Sequence, residues 1–201
     1  MNEPVLYVVA SGCPASTDLV PFVKELIEDG WRTCVITTPM GARFVPCFEL
    51  EQLTEFPVRS EYKMPDEPDV LPPADAIAAA PATFNTVNKI AQGITDTLAS
   101  GLVCEGIGAG IPVVVAPSLN PALSRHGAFR RSLGQLADDG VRLVLSAALN
   151  LEPRAIVSAS DDFPWQAVRR VLRDSRLTAR MIGCRPTRGS RDPGPVRAGV
   201  P

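Results

Sequence analysis

The chain alternates short runs of apolar residues with segments in which apolar residues recur at helical spacing. Val5 to Ala10 is an apolar run rich in β-branched residues that stops at Ser11-Gly12, and Leu19 to Ile27 then carries apolar side chains at helical spacing. A second short run, Thr33 to Thr37, follows Asp29-Gly30, a pair typical of a helix end. The opening therefore predicts a strand, a helix and a second strand, the unit that builds parallel sheets.

The same alternation continues along most of the chain. Ala76 to Ala80 and Ile111 to Ala116 are continuous apolar runs, as expected of parallel strands buried on both faces, and Val141 to Leu145 predicts a further strand. The remaining helical patterns run from Asn85 to Leu102 with an interruption near Gly93, from Ala122 to Ala137, and from Trp165 to Arg173. Together these elements predict a three-layer α/β/α domain, Rossmann-like (flavodoxin-like), with a parallel sheet.

Two segments lack any regular pattern. Prolines and charges interrupt residues 57–74, which predicts a long loop, and long ordered loops in compact domains are often functional. From Arg185 onward proline, glycine and arginine dominate. We expect one domain over residues 1–183 and a disordered tail over residues 184–201.

Composition narrows the kind of partner. Apolar residues make up 45% of the chain and its formal charge is −2 with both signs interspersed, which gives no electrostatic reason to expect a nucleic acid or a membrane as partner. A small ligand fits better. No apolar run is long enough to span a bilayer, and the first residues lack the basic start of a signal peptide, so we expect a cytoplasmic protein.

The cysteines do not indicate a disulfide framework or a metal site. Their number is odd and none forms a CxxC pair. They are Cys13, Cys34, Cys47, Cys104 and Cys184. We expect buried free thiols and no bound metal.

Polar groups follow the predicted strands at their carboxyl ends, where open parallel sheets bind ligands. Ser11-Gly12-Cys13 opens the first helix, whose free N–H groups suit a phosphate, although the glycine also fits a plain turn. Thr37-Thr38-Pro39 offers hydroxyls for a phosphate or for a helix cap. The segment from Pro81 to Thr86 clusters small and polar groups that suit the rim of a heterocycle or, alternatively, another cap.

Two motifs in order resemble one family. The run from Ala80 to Leu98, APATFNTVNKIAQGITDTL, resembles the PASANT motif and following helix of the homo-oligomeric flavin-containing cysteine decarboxylases. Ala116 to Leu123, APSLNPAL, resembles that family's second motif, proline-x-methionine-asparagine-x-x-methionine, with leucine at both methionine positions. The family includes 4′-phosphopantothenoylcysteine decarboxylases and enzymes that decarboxylate the C-terminal cysteine of lantibiotic and linaridin-type precursor peptides.

The resemblance covers residues 5–145 and implies an FMN-binding decarboxylase domain. By this resemblance Asn120 would hold the cysteinyl carboxylate, and relatives imply a homotrimer or homododecamer. The residues that would line FMN are Gly12, Cys13, Pro14, Thr38, Thr83, Phe84, Asn85, Thr86 and Ser118.

The chain departs from the family pattern at its histidine. Family members carry a catalytic histidine fourteen positions before the proline of the PASANT segment, and here that position is Glu67. A carboxylate can still accept a proton, so we take Glu67 as a catalytic candidate beside the alternative of a solvated loop residue. The only histidine, His126, falls where relatives often begin a helix. Phe84 replaces a small residue of the motif and would either stack beside the flavin or fill the core.

A second departure concerns the reaction. Phosphopantothenoylcysteine decarboxylases carry a cysteine downstream of the second motif, and the corresponding stretch, Leu149 to Ser160, has none. The resemblance therefore favours FMN-dependent oxidative decarboxylation of a precursor peptide that ends in cysteine, with an aminoenethiol as product and with this stretch closing over the peptide. The alternatives are phosphopantothenoylcysteine decarboxylation in coenzyme A synthesis and an inactive FMN-binding regulatory subunit.

Overall fold

The computed structural model describes residues 3–149, 151–159 and 162–182, with side chains up to residue 175. The tail predicted over residues 184–201 lies outside this part. The described strands form one parallel sheet in the order β2-β1-β3-β4-β5-β6. They are β1 (Val5–Ala10), β2 (Arg32–Thr37), β3 (Ala76–Ala82), β4 (Val113–Pro117), β5 (Arg142–Leu145) and β6 (Ile156–Val157).

Helices cover both faces of the sheet. They are α1 (Leu19–Glu28), α2 (Cys47–Thr54), α3 (Phe84–Ala91), α4 (Leu98–Gly108), α5 (Pro121–Ser124), α6 (Gly127–Asp138) and α7 (Trp165–Ile182). Val103 of α4 and Phe129 of α6 are buried in one core, and Leu26 of α1 and Leu172 of α7 are buried in the other. The predicted three-layer α/β/α fold is confirmed.

Several element boundaries differ from the prediction. The pattern predicted from Asn85 to Leu102 is two helices, because the chain turns at Gly93 with a φ of +67° and α4 starts anew at the Thr97–Ser100 capping box. The segment predicted from Ala122 to Ala137 also divides, because His126 caps α6. Helix α7 continues to Ile182, and α2 and β6 have no counterpart in the prediction.

Residues 57–74 form the predicted long loop, which is tied to the outer edge of the sheet. The backbone of Arg59 pairs with β2: its N–H donates to Val35 O at 3.2 Å, and its carbonyl accepts from Thr37 N at 2.8 Å.

None of the helices in the described part of the chain combines the length and the apolar character needed to cross a bilayer. Of the cysteines within it, Cys13 and Cys34 are buried and two are half-buried, all as free thiols.

A nearly buried ion pair fastens α7 to the end of α1. Arg169 donates from Nε to Asp29 Oδ2 at 2.7 Å and from Nη2 to Oδ1 at 2.9 Å, and Arg173 donates from Nε at 2.8 Å. The Asp29 side chain is 7% exposed. The Arg169 guanidinium, with Arg173 beside it, holds the pKa of Asp29 well below its usual range despite the opposing effect of burial. Asp29 therefore pairs with two guanidinium groups of α7 and ties this helix to the end of α1.

Replacing Asp29 with asparagine is expected to lower the free energy of unfolding by about 2 kcal/mol at neutral pH, because two guanidinium groups lose their anion. The folded-state pKa is depressed. The contribution is therefore complete above the unfolded pKa of about 4 and declines as the pH falls below it. Urea unfolding of both proteins at several pH values measures the difference.

Asp139→Asn is the matched control. Asp139 occupies the same C-cap position on α6, but its side chain is exposed and accepts a bond from Gln135. We expect an effect below about 0.5 kcal/mol there. Equal losses from the two substitutions, or a loss from Asp29→Asn that persists unchanged at pH 2, would contradict the assigned role of the ion pair.

Candidate functional site

The sheet order brings the ends of β1 and β3 together. The chain runs from β1 outward to β2 and then returns to the opposite side of β1 for β3, so the connections diverge above this pair. Such a switch point is where open α/β sheets bind ligands, beyond the carboxyl ends of the strands. Ser11 spans it: its N–H donates to Pro81 O at 3.0 Å, and its hydroxyl lies 2.9 Å from the hydroxyl of Thr86.

The amino end of α3 faces the same crevice. Thr83 is the N-cap, and its hydroxyl accepts from Thr86 N at 3.4 Å and lies 3.0 Å from Thr86 Oγ1. Thr86 is buried and joins Ser11 to Thr83, whereas Asn85 in the first turn is exposed. Free N–H groups and the helix dipole at such an end favour a negatively charged or electron-rich ligand.

The turn after β1 presents backbone more than side chains. Cys13 is buried, its N–H donates to Ser11 O at 3.0 Å, and its sulfur lies 3.7 Å from Ser16 Oγ. Pro14 begins a short 3-10 helix that leads into α1. A Cβ on Gly12 would lie 2.7 Å from Met40 Cγ and 3.1 Å from Met40 O, so the loops after β1 and β2 approach each other closely at this glycine.

The loop after β2 is held against β1 by backbone contacts. Thr38 N donates to Ala10 O at 3.0 Å, and the Thr38 hydroxyl accepts from Gly41 N at 2.9 Å. A Cβ on Gly41 would lie 2.5 Å from Ala10 O. The hydroxyl of Thr38 therefore serves as a local cap, the simpler of the two roles that the sequence left open, and keeps its own O–H as a donor.

The loop after β4 places the side-chain amide of Asn120 next to the same edge. Ser118 N donates to Ala82 O at 2.8 Å, which ties the end of β4 to that of β3. Asn120 caps α5, and its Oδ1 accepts from Leu123 N at 2.9 Å. Among the described residues the Nδ2 group of Asn120 has no protein partner, and its side chain is exposed. The amide can therefore donate two hydrogen bonds to a ligand.

Phe84 and His126 form an aromatic cluster with Phe129. The Phe84 ring centroid lies 5.7 Å from that of His126, edge on, and 6.2 Å from that of Phe129. His126 Nδ1 accepts from Ala128 N at 3.1 Å as the cap of α6. These contacts give His126 the structural place that its position predicted, and they show Phe84 filling the space between α3 and α6.

Glu67 lies apart in the long loop. Its side chain is exposed, and its Oε2 accepts from Met64 N at 2.9 Å. Its carbonyl accepts from Lys63 Nζ at 3.1 Å. These bonds close a turn within the loop, and no hydrogen bond or ion pair in the described part of the chain joins the Glu67 side chain to the residues at the strand ends. Its catalytic role remains a prediction.

The stretch predicted to close over a substrate is fastened to α6. Arg154 donates from Nε to Glu152 Oε1 at 2.8 Å, from Nη1 to Asp138 Oδ1 at 2.6 Å and from Nη2 to Gly134 O at 3.2 Å. Glu152 is buried, and the Arg154 guanidinium lowers its pKa. A movement of this stretch would have to break the bond to Asp138.

The nine residues predicted to line a cofactor thus come from four neighbouring strand ends, with Asn120 beside them. Their chemistry fits a flavin: backbone N–H groups at two helix starts suit a phosphate, and the hydroxyl and amide groups of Thr83, Asn85 and Ser118 suit the rim of the ring system. The sequence alone gave no separate role to Ser11, which links the ends of β1 and β3 through its contacts with Pro81 and Thr86. A serine directly after a buried strand was the available signal.

Comparison with known families decides the class. A family model described as Flavoprotein matches residues 1–165. The chain belongs to the Flavoprotein family. This membership confirms the resemblance carried by the two motifs and supports a flavin as the class of cofactor. The edge formed by the ends of β1, β2, β3 and β4, where the residues predicted to line the flavin lie, is called the flavin edge below.

Relatives and solved structures agree with the family. The coenzyme A biosynthesis bifunctional protein CoaBC of Bacillus subtilis is 30% identical over 145 residues, which are 69% of this chain and 35% of that protein. A probable phosphopantothenoylcysteine decarboxylase of Streptococcus mutans is 24% identical over 81% of this chain and 89% of its own length. The FMN-dependent cysteine decarboxylase TvaF of thioviridamide biosynthesis is 25% identical with a TM-score of 0.68, over 87% of this chain and 99% of TvaF. The chain spans only 35–40% of the length of the CoaBC proteins that it matches.

Proposed function

We propose that this chain is an FMN-dependent enzyme that oxidatively decarboxylates the C-terminal cysteine of a peptide. The single observation that supports it most is the position of Asn120, whose Oδ1 is held by the cap of α5 so that Nδ2 is left to donate beside the flavin edge. A carboxylate is the ligand that such an amide binds well. TvaF, which shares the fold over nearly its whole length, is an FMN-dependent cysteine decarboxylase.

The cofactor and the protein have separate tasks. FMN, when bound, would accept the hydride from Cβ of the substrate cysteine thiolate, and the resulting thioaldehyde would draw in the electron pair of the C–C bond as CO₂ leaves. Asn120 would hold the carboxylate in the orientation from which CO₂ departs. Glu67 would accept the thiol proton of the substrate. The stretch from Leu149 to Ser160 would cover the bound peptide and exclude water.

A peptide is favoured over phosphopantothenoylcysteine as substrate. By the family resemblance, a cysteine helps the reduced flavin return its two electrons to the enethiol, and the stretch from Leu149 to Ser160 contains no cysteine. Without that reduction the product keeps its oxidised state, and the reduced flavin must pass two electrons to an external acceptor such as O₂. The similarity to the Streptococcus mutans protein supports the other substrate and makes it the second candidate.

Mass spectrometry separates the candidates. The FMN-loaded chain is incubated with short peptides ending in cysteine and, in parallel, with phosphopantothenoylcysteine. We expect the peptide to lose CO₂ and two hydrogens, whereas loss of CO₂ alone from phosphopantothenoylcysteine would identify the second candidate. The same peptides ending in serine are the control and should stay unchanged, because the hydroxyl supports no thiolate.

A regulatory role is the remaining outcome. If FMN binds and neither substrate changes, the chain is a flavin-binding subunit that acts through a partner, and the proposed activity is wrong.

We further propose that residues 1–183 form the FMN-binding domain and that residues 184–201 are dispensable for it. We also propose that the protein assembles as a trimer or dodecamer in the cytoplasm. Size-exclusion chromatography with light scattering of the full chain measures the assembly.

A further inference from the structure

The long loop that carries Glu67 is held at its two ends by the sheet. At the start the backbone of Arg59 pairs with β2, and at the end the buried Tyr7 donates from its hydroxyl to Pro72 O at 2.7 Å. Between these points residues 61–70 are all exposed. An exposed segment of this length needs a further attachment if it is to keep one position.

Tyr62 supplies that attachment. Its hydroxyl lies 3.0 Å from Thr95 O and 3.1 Å from Thr97 O, at the first turn of α4. Thr97 is the N-cap of α4, so the phenol is bound to a rigid helix start. The Tyr62 side chain is 53% exposed, which means that its hydroxyl end rather than buried apolar area makes the contact.

Gly101 leaves room for this contact. A Cβ at Gly101 would lie 2.1 Å from Tyr62 Oη and 3.2 Å from its Cζ. Glycine lowers the stability of a helix interior, so its presence in α4 has a cost that the close approach of Tyr62 explains. Burial, with Cys104 and Asp96 nearby, raises the pKa of Tyr62, which keeps the phenol protonated as a donor at neutral pH.

Hydrogen bonds and an ion pair hold the turn around Glu67 together. Glu67 N donates to Met64 O at 3.1 Å while the Glu67 carboxylate accepts from Met64 N, and Lys63 Nζ lies 3.0 Å from Asp69 Oδ1. This unit begins directly after Tyr62. Among the three attachments of the loop, Tyr62 is therefore the one nearest to this turn along the chain.

We propose that Tyr62 is a positioning residue: through its hydroxyl, which donates to the backbone at the start of α4 beside Gly101, it fixes the loop that carries Glu67, the proposed proton acceptor. The inference rests on the proposed function for the role of Glu67. The fastening itself rests only on the contacts between Tyr62 and α4, so it can be tested without substrate.

The first test is a double-mutant cycle read by trypsin, which cleaves after Lys63 when the loop opens. Tyr62→Phe and Gly101→Ala should each speed this cleavage by about 3- to 10-fold, since each removes one hydrogen-bonded attachment. In the Tyr62→Phe background Gly101→Ala should add less than about 2-fold, because the clashing oxygen is gone and alanine favours the helix. Gly108→Ala, on the same helix with open space around its Cβ position, is the control. Additive effects in the cycle would overturn the proposal.

The second test links the loop to turnover. Tyr62→Phe should lower kcat for a cysteine-terminated peptide by about 3- to 10-fold with flavin content unchanged. In a Glu67→Gln background the same substitution should change kcat by less than about 2-fold, since the group that it positions is already lost. An undiminished effect there would overturn the positioning role. A wild-type chain that turns over no cysteine substrate would instead overturn the proposed function, with the trypsin cycle still reporting on the fastening.

Discussion

Asn120→Ala is expected to lower kcat for a cysteine-terminated peptide by about 10- to 100-fold, the range for a lost hydrogen bond to a charged group. The two polar atoms of the Asn120 amide have different roles. Oδ1 accepts from Leu123 N at 2.9 Å as the cap of α5, which directs the Nδ2 donor away from the helix. Flavin content should not change, because the cofactor is proposed to contact other residues. Turnover and flavin absorbance of the same sample measure both effects.

Two variants separate the donor from the cap. Asn120→Ser keeps a good N-cap acceptor and removes the amide, so it should be as inactive as alanine while α5 stays intact. Asn120→Asp also keeps the cap but places a negative charge where the substrate carboxylate would bind, and it should be the least active of the three. Turnover restored by serine would assign Asn120 to the helix cap alone.

The sheet could be predicted because its strands carry a strong local signal. A strand buried on both faces is apolar at nearly every position, and β1, β3 and β4 are continuous apolar runs. The ligand edge follows from the same signal, since polar residues that come directly after such strands all lie at one edge. This explains why Gly12, Thr38, Thr83 and Ser118 share one edge, whereas their contact with a flavin stays a prediction from the family resemblance.

Other features depend on contacts that the local pattern does not contain. The break before α6 results from one hydrogen bond, from Ala128 N to the ring of His126, inside a segment whose apolar spacing is helical throughout. The need for glycine at position 101 depends on Tyr62, which is distant in sequence. The position of Glu67 could be counted from a motif, whereas its hydrogen bonds within the loop could not.

Gly41→Ala is expected to lower the free energy of unfolding by about 1–3 kcal/mol and to weaken flavin binding by about tenfold or more. A Cβ at this position would lie 2.5 Å from Ala10 O and 3.0 Å from Thr38 Oγ1. The carbonyl of Ala10 accepts from Thr38 N and belongs to the buried strand β1, so it cannot move aside without disturbing the sheet. The loop after β2 would have to shift instead, and it forms one side of the flavin edge.

Alanine substitutions at Gly12 and Gly108 are the comparison variants for this prediction. At Gly12 the nearest atom to a new Cβ is Cγ of the exposed Met40 side chain, so Gly12→Ala should cost less stability than Gly41→Ala. At Gly108 nothing lies within 4 Å, and alanine there should lower neither stability nor flavin affinity, since alanine favours the helix. Urea unfolding and flavin titration of the three variants give the order. If Gly41→Ala binds flavin as tightly as Gly108→Ala, the loop after β2 does not contribute to the cofactor site.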